Sequence, residues 1–321
     1  MNGQVYVLLN GPVALTSLLT TCFFCSCLLA PKPGQEEGMK QPLLLLLWSV
    51  VGWNGCVQLT ILLSVCLTFS EEYMAQEFFL GRWFLLKFSI LLSLSPTAWL
   101  SVFYHVRIVP AQHAFFTWMK RNIKAVVYWG LVVDRVLILS DSVIGVMQLV
   151  SENDKGSRGQ NGSSFPPPFN GSQAGQAIDM EAVVFVSSWI EMSYFILCLA
   201  VMALSSGATV LYLWRHMKRM QATSSSSFSS PQLQSQWRVT VASLVQGGLY
   251  VFCTVWILLD CFLLLFPDLD TENHILCTII SLFSLGTVIN LGFGQALFRQ
   301  RASDLWDRAA KIPQLCGFNR A

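Results

Sequence analysis

Seven apolar stretches constrain this chain more than any other feature, because each is long enough to cross about 30 Å of hydrocarbon as a helix of roughly 20 residues. They lie at residues 5–29, 43–69, 84–108, 123–150, 182–214, 239–266 and 274–297. Helix is the conformation that fits, since an unpaired backbone amide is too costly in lipid and outer-membrane barrels show short alternating segments instead. Composition agrees: 12% of residues are charged and 54% hydrophobic, where a soluble globular chain carries about 25% charged residues. The expectation is an all-α integral membrane protein, a seven-transmembrane helix bundle over 1–297 with a short tail at 298–321. The first stretch has no Lys or Arg before it and exceeds a signal h-region, so it reads as an uncleaved span.

Orientation follows from the basic residues of the short connections. One side holds Lys32, Lys40, Arg107, Lys120, Arg121, Lys124, Arg215, Lys218, Arg219, Arg238, Arg299, Arg301, Arg308 and Lys311; the other offers Arg82, Lys155 and Arg158. This asymmetry predicts an extracellular N-terminus and a cytosolic C-terminus, which needs an odd number of spans. The net charge of +2 points neither to nucleic acid nor to an acidic substrate.

The connection 151–179 is polar and rich in Gly, Ser and Pro, and it carries two acceptor sequons, Asn161-Gly162-Ser163 and Asn170-Gly171-Ser172. The topology places both outside, where glycosylation of Asn161 or Asn170 is expected. The Ser-rich stretch 224–230 reads as a flexible inner connector. Of ten cysteines, nine fall within the spans and Cys316 lies in the tail. An extracellular disulfide between the top of span 3 and the second outer loop is therefore not expected, nor is a metal cluster.

Three function classes compete. A membrane-embedded enzyme needs His or carboxylate groups at ligand or acid–base spacing, but His105, His113, His216 and His274 all sit near span edges and no two are spaced i, i+4. Neither a catalytic nor a metal site is expected, and no cofactor. A small-molecule transporter usually betrays internal repeats and paired broken spans, which this chain does not display. A receptor that couples to a cytosolic partner makes better use of the basic, aromatic-bordered inner loop His113-Ala114-Phe115-Phe116-Thr117-Trp118-Met119-Lys120-Arg121, which offers a cationic face to a partner or to anionic lipid.

Two segments sharpen the receptor reading. Leu100-Ser101-Val102-Phe103-Tyr104-His105-Val106-Arg107-Ile108, followed by the loop just quoted, resembles the end of span 3 and the second inner loop of the type 2 taste receptors, the bitter-taste family of G-protein-coupled receptors. Leu211-Tyr212-Leu213-Trp214-Arg215-His216-Met217-Lys218-Arg219-Met220-Gln221 is similar to that family's Ser-Leu-Trp-Lys-His-x-x-x-Met-Gln at the end of span 5. The chain departs from the family in span 2, where Gly52-Trp53-Asn54-Gly55 stands near the usual Ser-Arg pair. It departs again in span 7, where Ser284-Leu285-Gly286-Thr287-Val288-Ile289-Asn290 replaces the usual His-Ser or Pro-Ser-x-His element. A divergent member, such as one from a non-mammalian vertebrate, fits. A vomeronasal type 1 pheromone receptor is the alternative, but such receptors usually keep extracellular cysteines.

The resemblance implies a plasma-membrane receptor of chemosensory cells that binds small bitter compounds between the outer parts of spans 3, 5, 6 and 7 and activates a heterotrimeric G protein of the gustducin or inhibitory type. On it, the pocket-lining positions of span 3 fall on Leu86 and Ile90, and the family's mid-membrane tyrosine of span 6 on Tyr250, with Trp256 and Asp260 above it. Arg107, Lys120, Arg121, Arg215, Lys218 and Arg219 would frame the G-protein cavity. From the residues themselves, ionisable groups within spans cost about 2.5 to 3.5 kcal/mol each on insertion scales and so face the bundle interior or a wet cavity. Lys87, Asp141, Glu191 and Asp260 lie in the outer half, and Asp134 lies deeper beside Arg135. The excess of acid predicts a carboxylate free for a cationic amine ligand; the structural alternative is an ion pair of Lys87 with Glu191 or Asp260. The tail from Phe298 to Ala310, with Arg299, Arg301, Arg308, Leu305 and Trp306, reads as an amphipathic helix on membrane lipid, with Cys316 available for palmitoylation.

Overall fold

The structure is a computed structural model and describes residues 3–29, 41–69, 76–110, 114–160, 171–223, 231–263 and 274–315. Within these the chain forms α1 (Gly3–Leu29), α2 (Leu43–Phe69), α3 (Gln76–Ile108), α4 (Ala114–Arg121), α5 (Ile123–Gln160), α6 (Gly171–Thr223), α7 (Pro231–Leu263), α8 (His274–Gly294) and α9 (Ala296–Leu315). All regular structure among the described residues is helical. Among the described residues six helices, α1, α2, α3, α6, α7 and α8, are long and apolar enough to cross a membrane. The long helix α5 differs from them in carrying Asp134, Arg135 and Asp141 in its apolar run.

Two differences from the sequence expectation have simple physical causes. The polar residues 151–160 continue α5 and 171–181 open α6, because a helix once nucleated propagates at the cost of one residue per added hydrogen bond. The tail helix starts at Ala296, so Phe298 belongs to its first turn and is buried against Phe24 at a ring separation of 4.2 Å. The sequons Asn161 and Asn170, the connector 224–230, His113 and Cys316 lie outside the described residues.

The helices close into a ring in which α1 packs on α2 and α8, α6 on α7, and α7 on α8, while α3 runs through the middle against α2, α5, α6 and α7. Lipid tails are as apolar as leucine, so close packing and interhelical hydrogen bonds hold such helices together. Both devices meet where α3 crosses α5. Pro96 has no N–H to offer the carbonyl four residues back, and that carbonyl, Leu92 O, accepts instead from Arg135 Nη1 at 3.4 Å. Ser95 Oγ and Trp99 Nε1 donate to Asp134 Oδ2 at 2.5 and 2.6 Å. Asp134 thus has partners of its own on α3, while Arg135 lies over the Trp53 ring at 5.4 Å. Gly130 lets the Trp99 ring lie against the α5 backbone, in a place where a Cβ would stand 2.0 Å from the ring.

Outward, α5 and α6 present bare aliphatic and aromatic faces, with Val132, Val136, Leu139, Val143, Phe185, Trp189, Ile190 and Leu197 all exposed. Contiguous apolar surface of this extent needs a covering phase, and a bilayer provides one.

Candidate functional site

Ionisable and polar groups gather at two levels of the bundle. At the end opposite the basic residues, α3, α5 and α6 bring Lys87, Asp141 and Glu191 together. Lys87 Nζ lies 2.7 Å from Glu191 Oε2 and 3.7 Å from Asp141 Oδ2, and Ser187 Oγ donates to Asp141 Oδ1 at 2.5 Å. The register explains the meeting: α3 and α6 run parallel, and the offset that pairs Lys87 with Glu191 also pairs Ser101 with Ser205 and His105 with Thr209. Among the described residues two carboxylates face one ammonium here, and these three groups together carry one net negative charge when all are ionised. A buried or half-buried ion pair is weak evidence of stabilisation, since desolvation offsets much of the attraction.

The other expected pocket residues are dispersed around this cluster. Leu86 and Ile90 are 3% and 7% exposed within the apolar core, and Tyr250 is fully buried beside the Cys198 thiol of α6. Trp256 is half-buried on α7. Asp260 lies on the same helix with its side chain outside the described residues. The structure therefore brings Lys87 and Glu191 together and adds Asp141 and Ser187, whereas Leu86, Ile90 and Tyr250 serve the packing between helices. Asp141 was legible as an intramembrane charge; Ser187 carried no signal, because serine is common in spans.

At the basic end a second constellation joins α3, α6, α7 and α8. Ser101 Oγ lies 2.7 Å from Ser205 Oγ and 3.0 Å from Ser206 Oγ, and Ser206 continues to Ser243 Oγ of α7 at 3.0 Å. One turn on, His105 Nδ1 lies 3.1 Å from Thr209 Oγ1. Across the bundle, Gln246 Nε2 donates to Thr287 Oγ1 at 2.9 Å, and Asn290 Nδ2 donates to Ala242 O at 2.7 Å and Gln246 Oε1 at 3.1 Å. Gln295, between α8 and α9, donates to Tyr104 OH.

Several of these polar groups line a cavity of about 50 Å³, formed by Thr97, Ser101, Tyr104, Gln246, Asn290 and Gln295 with apolar neighbours such as Val50, Met202 and Leu291. Arg107, Lys120, Arg121, Arg215, Lys218 and Arg219 are exposed beyond it on α3, α4 and α6, and Lys218 lies over the Trp214 ring at 5.5 Å. Sequence reasoning did not single out the cavity's own residues. Their signal was present as polar side chains one turn apart within apolar helices, namely Thr97 with Ser101, Ser243 with Gln246, and Thr287 with Asn290.

Comparison with known proteins bears on this arrangement. The family model described as Taste receptor protein (TAS2R) matches residues 42–304, a stretch that runs from the start of α2 into α9. The chain is also similar to Taste receptor type 2 member 40 of Gallus gallus, with 22% identity over 210 residues that cover 65% of this chain and 64% of that protein, just under two thirds of its length. Those 22% leave most positions free to diverge, in keeping with the departures in spans 2 and 7. The matched region contains the helices that build both polar levels of the bundle, and on that match the chain belongs to the taste receptor (TAS2R) family as a divergent, multi-pass membrane member.

Proposed function

We propose that this chain is a bitter taste receptor with seven spans, an extracellular N-terminus and a cytosolic C-terminus, acting at the plasma membrane of chemosensory cells. It binds small bitter compounds in the outer half of the bundle and activates a heterotrimeric G protein of the gustducin or inhibitory type. The observation that carries this reading is the family match over residues 42–304, which takes in the helices α3, α6, α7 and α8 that line the polar cavity, with Arg107 exposed one turn past the cavity residue Tyr104. In the open state this cavity would widen to admit a partner's helix. The span that completes the seven is α5, the fourth in chain order, whose aliphatic face looks outward while Asp134, Arg135 and Asp141 turn toward α3 and α6.

In this mechanism the bundle exchanges between a closed and an open state, and a ligand drives opening only by binding the open state more tightly. The ladder from Ser101 through Ser205 and Ser206 to Ser243 ties α3, α6 and α7 together in the closed arrangement. At the far end, the net negative cluster around Glu191 and Asp141, with Asp260 on α7, favours a cationic amine. The alternatives of a vomeronasal type 1 receptor or a transporter draw no support from the family match. Cells expressing the chain with a gustducin-type chimeric G protein, challenged with a panel of bitter compounds, should give calcium transients to some members. Silence across the panel at verified surface expression would count against the proposal.

A further inference from the structure

The seam where α1, α2 and α8 meet holds buried oxygen atoms that the protein itself leaves without partners. Ser17 and Asn54 are fully buried and Thr21 is 7% exposed, yet Ser17 Oγ, Thr21 Oγ1 and Asn54 Oδ1 have no hydrogen-bond partner. Helical Ser and Thr can return their hydroxyl to the carbonyl a turn back, and Thr16, Thr20 and Ser26 on exposed faces of the same α1 do so. The two hydroxyls that face the seam do not.

Register places these oxygens at one level. Asn10 pairs with Thr278, and Phe24 packs on Gly292, so Ser17 and Thr21 lie between those two contacts, opposite the segment of α8 that contains Ser284. On α2, Gly55 faces the Thr21 methyl, which a Cβ at that position would meet at 3.1 Å, Gln58 exchanges hydrogen bonds with Ser281, and Ser284 Oγ reaches Asn54 O at 3.5 Å, the long limit of a bond. Each orphaned buried polar group costs about 1 to 3 kcal/mol, and three within one layer make a dry seam expensive. No Asp, Glu, Lys or Arg occurs in the described parts of α1, α2 or α8. With no charge to balance a cation, a neutral occupant with both donors and acceptors suits the set.

We infer that α1, α2 and α8 enclose an internal hydration site, a small water cluster bridging Ser17, Thr21 and Asn54 toward Ser284. Buried waters typically make about three hydrogen bonds to otherwise unsatisfied groups, which is what this layer offers. Access comes from the cavity at the basic end, because Val50 and Thr287 line that cavity and stand one turn from Asn54 and Ser284. The site thus connects the α1–α2–α8 seam to the space that α3, α6 and α7 surround, and it stands independently of the ligand and G-protein reading.

Thermal unfolding of the full chain in lipid nanodiscs tests the inference. Ser17→Ala and the nearly isosteric Thr21→Val remove hydroxyls that have no protein partner. With a water cluster in place, each lowers Tm by about 2 to 5 °C, and the double variant loses less than the sum because both hold the same waters. Unchanged or raised Tm in both single variants overturns the inference, since removing an orphan from a dry seam relieves a cost. Thr21→Val keeps side-chain shape, so it remains informative if Ser17→Ala expresses poorly. Scans in NaCl, KCl and choline chloride complete the test. Equal Tm in the three supports water, and a rise in NaCl or KCl that Asn54→Ala abolishes overturns it in favour of a bound cation.

Discussion

At Gly130 the lack of a side chain decides how closely α5 approaches α3. The Trp99 ring that fills this space is held by its bond to Asp134, so it cannot swing aside cheaply. Gly130→Ala gains helix propensity of about 0.5 to 1 kcal/mol but overpacks the contact at about 1 to 3 kcal/mol, and the clash outweighs the gain. Lower Tm is expected for Gly130→Ala in nanodiscs, with partial recovery when Trp99→Phe is added. The carboxylates of the opposite end pose a separate residue-scale question. Glu191 is paired with Lys87, so a cationic ligand of the proposed kind would meet it as part of a cluster with Asp141. Glu191→Gln or Asp260→Asn should lower the potency of a protonated-amine agonist by about 5- to 150-fold, the worth of a charge-assisted hydrogen bond of about 1 to 3 kcal/mol. Unchanged potency in both, at normal surface expression, would leave those carboxylates as structural partners only.

Among the elements, α3 is the one on which both polar levels depend, with Lys87 at one end and Ser101, Tyr104 and His105 at the other. Its exposed Arg107 stands just past the ladder, where a partner entering the cavity would meet it. Arg107→Ala should reduce agonist-driven nucleotide exchange while surface density stays near wild type; equal exchange at equal density would remove that residue from the coupling surface. The ladder itself predicts the opposite sign. Ser101→Ala removes the hydroxyl shared by Ser205 and Ser206, which should raise ligand-independent exchange by loosening the closed state. A basal rate no higher than wild type would show that the ladder does not bias the equilibrium.

For the molecule as a whole, the expectations concern orientation. An N-terminal epitope tag should be stained on intact cells and retained on the mature chain, whereas staining that requires permeabilisation would invert the topology. Glycosidase treatment should increase gel mobility of the wild type and leave the double variant Asn161→Gln, Asn170→Gln unchanged. A shift that persists in the double variant would place the glycan elsewhere and count against an outer position for the connection between α5 and α6.

The amino-acid sequence alone was enough for the helical class, for the approximate limits of α1, α2 and α8, and for the resemblance to taste receptors, because hydropathy and motif spacing are local properties. Phe103-Tyr104 and Trp214-Arg215-His216 needed no partner to be recognised. Which polar groups meet was decided only by tertiary structure. The parallel register of α3 and α6 brought Glu191 to Lys87, one of its two candidate carboxylates, and Asp141 came alongside from α5. Nothing in the sequence singled out Ser17 and Thr21, which the crossing of α1, α2 and α8 buries at one level with Asn54. A span's composition states that a polar side chain must be satisfied, but the rotation and offset of neighbouring helices determine by what.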